Sequence, residues 1–343
     1  MKTFIGTNFS SLAAMKERWT GLVILLLLSL GISPIQMQQI SHTPIFNGND
    51  AFSYLVDQCD FGPRPPGSEN LSLCRTMLAE TFESFGWNVT FQNFTYKEVA
   101  CVNIIVRWNS RNDSPVVLGA HYDTRPPGPS GPGSGLGAND GASGVAVLLE
   151  LAAILPVQTR STVEMILFDA EDSGGISGWD WIRGSTYYVS QLSAERRSTI
   201  KAMILLDMIG DLNLELPRER SSTTSLQNSL WNIAGELGYN ETFIDVYRGP
   251  IIDDHRPFLD AGIPALDLIQ VPFPSYWHTL EDTPDKCSPD SLEIVGEVME
   301  VFLVEEAANI TIFPSDSPIL FIIGVITIIA IVITYLCVRL KRR

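Results

Sequence analysis

Short apolar runs that alternate with helical patterns, several ending in an acid or a histidine, constrain this chain more than any other feature. Val116–Ala120 leads into His121-Tyr-Asp123, Met165–Phe168 into Asp169-Ala-Glu171-Asp172, and Ile204–Leu206 into Asp207-Met-Ile-Gly-Asp211. Strands are expected at 88–95, 101–108, 115–121, 163–169, 202–207 and 264–269. Helices are expected at 48–59, 70–85, 142–155, 184–192, 224–237 and 289–307. Ala142–Leu155 is apolar nearly all round, as suits a helix packed against a sheet. Such alternation predicts an α/β fold, a three-layer α/β/α arrangement with a mostly parallel central sheet. Sheets of this class carry their sites at the carboxyl ends of the strands.

What stands at those ends is of one chemical kind. Besides the three segments above, Gly137-Ala-Asn-Asp140-Gly enters the buried helix with an Asp, and Tyr276-Trp277-His278-Thr279 precedes the last helix. The chain has four histidines: His42 lies in the N-terminal stalk, whereas His121, His255 and His278 all fall in strand-end or loop motifs beside acids. A lone His is more often structural, and a lone strand-end Asp more often a helix cap. Histidines and several carboxylates gathered at one end of one sheet suit a borderline cation such as Zn²⁺. In the adjacent pair Glu171-Asp172, one carboxylate can bind a metal while its neighbour handles protons. A solvated acidic loop is the alternative, and the apolar lead-in Met165–Phe168 argues against it. The glycine-rich stretch Gly128–Gly144 is no phosphate loop, since it lacks the Lys and the Gly spacing and holds Asp140.

The two ends of the chain differ from the middle. Residues 21–32 form a short apolar run after Lys16 and Arg18, a signal peptide or a signal-anchor. Ile319–Val338 carries no charge and, at about 1.5 Å per residue, is long enough for a hydrocarbon core of roughly 30 Å. Arg339, Lys341, Arg342 and Arg343 follow it and belong on the cytoplasmic side. The expected organisation is an N-terminal signal or anchor with stalk at 1–40, a catalytic domain at 41–312, and a transmembrane helix with basic tail at 313–343. The catalytic domain is then extracytoplasmic and membrane-anchored. Sequons at Asn70, Asn88, Asn93, Asn240 and Asn309 agree with export. Cys59 and Cys74 either pair in an oxidising compartment or remain buried thiols. A formal net charge of -16 excludes a nucleic-acid partner, because phosphate binding needs a basic footprint. No oligomeric state follows from these features.

The order His121-x-Asp123, Asp140, Glu171-Asp172, Asp207, His278 resembles the zinc aminopeptidase and glutaminyl cyclase superfamily, metallopeptidase family twenty-eight, over roughly residues 50–307. For an aminopeptidase the resemblance implies two zinc ions. Asp140 would bridge them, Asp172 and His278 would hold one, His121 and Asp207 the other, with Glu171 as general base. The stretches Ile252-Asp253-Asp254-His255-Arg-Pro-Phe258 and Pro272-Phe-Pro-Ser-Tyr-Trp277-His278-Thr279 look most like glutaminyl-peptide cyclotransferases. That resemblance implies one zinc on Asp140, Asp172 and His278, with Glu171 as catalytic acid/base and Asp207 and Asp253 in a proton network. Trp277, Asp254 and His255 would border the substrate pocket. The chain departs from the animal cyclases at Asp172, where they have Glu, and at Asp267, where His is expected. The implied substrate is a peptide or protein N-terminus, either cyclised at Gln to pyroglutamate or hydrolysed. A catalytically silent membrane receptor or assembly protein on the same fold is the third alternative.

Overall fold

A computed structural model describes residues 41–108, 115–129 and 131–306. The chain divides at Ser41/His42, and everything below belongs to the second unit. Both terminal apolar runs lie outside the described residues. Among the described residues no helix is long and apolar enough to cross a membrane.

Two helices open the unit, α1 (Gly48–Cys59) and α2 (Glu69–Ser84). Asn47 and Ser68 cap them by accepting the first free backbone N–H groups, as their short polar side chains favour. An antiparallel hairpin follows, β1 (Asn88–Tyr96) and β2 (Val99–Arg107), then β3 (Val116–His121) and α3 (Ser143–Ile154). The remainder comprises α4 (Val157–Arg160), β4 (Val163–Phe168), α5 (Arg183–Ser190), α6 (Ala194–Thr199) and β5 (Ala202–Asp207). Then come β6 (Leu216–Glu219), α7 (Thr224–Leu237), β7 (Phe243–Arg248), α8 (Arg256–Asp260), β8 (Ala265–Ile269) and α9 (Pro289–Val301). The expected strands and helices are all present. The last helix stops at Val301 and gives way to a π-turn over Phe302–Glu306. The short elements α4, α6, β6, β7 and α8 were not expected.

Among the described residues the main sheet runs β1-β2-β4-β3-β5-β8. β3, β4, β5 and β8 are mutually parallel, and the β1–β2 hairpin joins antiparallel at one edge. β3, β4, β5 and β8 are buried along their whole length, which is why each reads as an apolar run rather than an alternation. Helices cover both faces. Val117, Ile166, Phe168, Met203, Leu205 and Ala265 point to one face and meet Tyr188 and Val189 of α5 and Phe258 of α8. On the other face α3 lies on β3 and β5, with α1, α2 and α9 packed around it. Gly144 sets that approach, because a Cβ there would sit 2.0 Å from the Leu206 carbonyl oxygen. Cys59 and Cys74 are both free and buried, and burial pushes their thiols up to about 12 and about 11.

One buried charge ties the hairpin edge to the sheet. Glu164 of β4 accepts from Arg107 Nε and Nη2 (2.8 and 3.0 Å), from Arg196 Nη2 (2.5 Å) and from the Tyr188 hydroxyl (2.6 Å). Burial alone would raise its pKa, but the Arg107 contacts outweigh it and hold the carboxyl below its ordinary 4.5. A depressed folded-state pKa gives stability that is present above the unfolded value and is lost as pH falls through the folded one. Glu164→Gln should therefore cost about 3 kcal/mol at neutral pH, with a smaller penalty below about pH 4, in urea unfolding at the two pH values.

Candidate functional site

The carboxyl ends of β4, β5 and β8 meet at one cavity of about 330 Å³. Its wall includes Asp140, Glu171, Asp172, Asp207, Asp253 and His278, with Trp181, Phe273 and Trp277 forming an aromatic side. Sharp turns stand at or beside several of these acids. Gly141, at φ 107°, lets the turn before α3 fold close to β3, and a Cβ there would meet His121 Cε1 at 2.9 Å. Ala170, Met208 and His278 all adopt left-handed backbone (φ 60°, 49° and 57°). Non-glycine residues reach that region only where surrounding contacts hold them, and such strain clusters at functional sites. Ala170 turns the chain after β4 to present Glu171-Asp172, and Met208 turns it after Asp207.

Two ligand sets overlap at Asp140. His278 Nε2 lies 3.1 Å from Asp172 Oδ1 and 3.5 Å from Asp140 Oδ2. His121 Nε2 lies 3.2 Å from Asp140 Oδ1 and 3.4 Å from Asp207 Oδ1. Within each set, His121–Asp140–Asp207 and Asp140–Asp172–His278, one donor atom per residue falls within 4.8 Å of the others. Both nitrogens of His121, and Asp207 Oδ1, are buried near these neighbours yet without an aligned hydrogen bond. Buried polar atoms are normally satisfied. A nitrogen and carboxylate oxygens aimed at a common point fit a borderline cation such as Zn²⁺.

The surroundings fix these groups. Asp123 accepts the Glu171 and Asp172 backbone N–H groups (3.1 and 3.2 Å), so the β3 end positions the β4 end. Asp282 does the same for Asn139 and Asp140 (2.8 and 3.1 Å). Arg125 Nη1 donates to Asp172 Oδ1 at 3.1 Å, and the Ser134 hydroxyl lies 3.4 Å from Asp140 Oδ2 and 3.3 Å from Asp172 Oδ2. The Arg125 guanidinium also rests 4.8 Å over the Trp181 ring. Trp181 stacks on His278 at 6.0 Å, Trp277 stacks on His278 at 3.6 Å, and Phe273 stacks on Trp277 at 4.3 Å. Burial pushes Glu171 well above the ordinary carboxylate range, with Asp172, Asp254 and Asp207 adding to it against the pull of His121. Burial and the neighbouring Asp140 lift Asp172 to about 6. Asp140 goes the other way: burial would raise it, but His121 and His278 hold it down.

Two residues expected at the pocket lie elsewhere. Asp254 and His255 are fully buried behind the wall to which Asp253 contributes. His255 sits between Ser221 Oγ (3.1 Å) and Glu219 Oε2 (3.5 Å) on one side and Asp267 Oδ2 (3.5 Å) on the other. The short helix α8 begins immediately after it and turns the motif inward. Arg125, Ser134, Trp181, Phe273 and Asp282 were missed as site residues. Arg125 stands two positions past Asp123 and Asp282 four past His278, so proximity to a motif was the available signal.

The family model "Peptidase family M28" matches residues 103–303. The glutaminyl-peptide cyclotransferase of Gloydius blomhoffii is 28% identical over 305 residues, 75% of this chain and 79% of that protein. The crystal structure of Porphyromonas gingivalis glutaminyl cyclase is similar at 30% identity and a TM-score of 0.69, covering 77% of this chain and 100% of that one. A Zn-dependent exopeptidase from Parabacteroides distasonis gives the same identity, TM-score and coverage. Because both sets share Asp140, Asp140→Asn should deplete zinc from both, whereas His121→Ala should spare the set with Asp172 and His278. Zinc per chain by atomic emission checks this, and equal depletion in the two variants would contradict the sharing.

Proposed function

The chain belongs to peptidase family M28, and from that premise we propose that it is a zinc-dependent glutaminyl-peptide cyclotransferase, closing an N-terminal Gln to pyroglutamate with release of ammonia. The observation that carries this reading is the cavity itself: Glu171 lines it together with the Asp140, Asp172 and His278 set and the aromatic rings Trp181, Phe273 and Trp277. At about 330 Å³ it lies at the small end of ligand pockets and suits one terminal residue rather than a length of chain. The relatives named as glutaminyl cyclases support the same choice.

Asp140, Asp172 and His278 would hold the zinc, which when bound supplies Lewis acidity toward the side-chain amide carbonyl. Trp277 and Phe273 hold the substrate side chain so that its own α-amine faces the amide carbon. Glu171 accepts a proton from the attacking amine and delivers it to the leaving nitrogen. The amine–carbon bond forms, the side-chain carbon–nitrogen bond breaks, and ammonia departs. Asp207 and Asp253, on the same wall, share the proton that Glu171 carries.

A second reading, a dizinc aminopeptidase, is favoured by one observation: the His121, Asp140 and Asp207 set is complete. There Glu171 would act as base toward water at the first peptide bond. Incubation with Gln-peptides and with aminoacyl-amides separates the two. Pyroglutamate plus ammonia with one zinc per chain is expected, and free amino acid with two zinc ions would overturn the cyclase. Glu171→Gln should lower kcat by about 10²–10⁴-fold with zinc still bound. The silent-receptor alternative has no observation in its favour, since the whole Asp140, Asp172 and His278 set and the proton carrier Glu171 line one cavity.

We also propose that the uncharged run at 319–338 anchors this unit to a membrane, with the basic tail inside and the catalytic unit outside. The full-length chain should stay in the membrane pellet after alkaline carbonate extraction, with the catalytic unit open to protease added from outside. Release into the supernatant would refute the anchor.

A further inference from the structure

We propose that Tyr276 is a positioning residue for the metal centre: its hydroxyl clamps together the three segments that carry Asp140, Asp207 and His278. The inference rests on the zinc reading above. Asp140 stands in the turn before α3, Asp207 at the end of β5, and His278 in a loop after β8. Ladder hydrogen bonds of the sheet end short of the ligand-bearing parts of the turn and the loop. Something else must therefore hold their separation.

The Tyr276 hydroxyl donates to Asp211 Oδ2 at 2.5 Å and accepts from Asn139 Nδ2 at 3.1 Å. Asn139 Oδ1 in turn accepts the Gly210 backbone N–H at 2.8 Å. These three bonds close a ring through the Gly210–Asp211 backbone. Asn139 precedes Asp140 directly, Gly210 lies three residues past Asp207, and Tyr276 lies two before His278. One amide orientation alone serves Asn139, with its oxygen on the Gly210 N–H and its nitrogen on the phenol.

The ring is itself anchored. Asp211 Oδ1 accepts the Asn213 N–H at 2.6 Å, and the Asp211 carbonyl accepts the Ser291 hydroxyl of α9 at 2.6 Å. The Leu212 N–H donates to the Lys286 carbonyl at 2.9 Å. Tyr276 also shapes the loop through its backbone, because its carbonyl accepts both the N–H (3.1 Å) and the hydroxyl (2.6 Å) of Thr279. Between those two residues sits His278 in left-handed backbone, a conformation that persists only when its flanks are held. The aromatic stack of Trp277 and Trp181 fixes the face of the imidazole. The Tyr276 clamp fixes where its backbone stands. Tyr276 is absent from the cavity wall among the described residues, so it acts through the ligands and not on the substrate.

The test is zinc affinity of the full-length chain, by competition with a chromogenic chelator at a temperature where circular dichroism shows each variant folded. Tyr276→Phe removes one oxygen and should raise the zinc Kd by about 10–100-fold, the usual effect of losing an outer hydrogen bond on a metal ligand. It should also shift the visible bands of the Co²⁺-loaded protein, a signature of ligand geometry that a general loss of stability leaves alone. Asp211→Ala should do the same, and the double variant should add little to either single one, because both break the same bond. A folded Tyr276→Phe with wild-type zinc Kd and Co²⁺ spectrum would overturn the clamp, as would full additivity of the two substitutions. A wild-type chain that binds no zinc would instead overturn the functional reading, and the clamp with it.

Discussion

The site is organised around the repulsion of buried carboxylates. Asp140, Glu171, Asp172, Asp207, Asp253 and Asp254 are all buried around the carboxyl end of one sheet, and Asp267 is buried within β8 beside them. Packing like charges there is unfavourable unless protons, guanidinium groups or a metal compensate. His121, His278 and Arg125 supply part of the answer, and each touches an acid directly. The raised pKa of Glu171 and the depressed pKa of Asp140 are two outcomes of the same field. Glu171, where burial and neighbouring acids outweigh the pull of His121, binds a proton more readily, and Asp140, between two imidazoles, releases one more readily. That division suits one carboxyl to carrying protons and the other to holding a cation.

The scaffold makes this crowding possible by keeping it rigid. The acids sit on or beside parallel strands whose side chains are locked in a packed core, with α3 drawn close at Gly144. Backbone N–H groups, not side chains alone, aim the carboxylates: Asp123 and Asp282 each take two N–H groups from a ligand-bearing turn. Left-handed residues at Ala170, Met208 and His278 show where the chain is bent against its preference to bring ligands inward.

Much of this was legible because fully buried strands read as uninterrupted apolar runs and because parallel sheets expose one end. Val116–Ala120 and Ile204–Leu206 announced both a strand and the place where its chemistry would begin. Less was legible where burial depends on tertiary context. The Asp253-Asp254-His255 triplet looks like a pocket rim in one dimension, but α8 turns Asp254 and His255 inward. The β6–β7 pair is short and half exposed, so no strong pattern marks it. The bonds that join Tyr276 to Asp211 and Asn139 span 65 and 137 positions, a separation that no local periodicity records.

The shared position of Asp140 also makes the two ligand sets thermodynamically dependent on each other. Occupancy of one set changes the charge and orientation of a carboxylate that the other set uses. By linkage, whatever factor the first ion imposes on the second is returned in equal measure. A single shared side chain would thus tie the affinity of either set to the occupancy of the other.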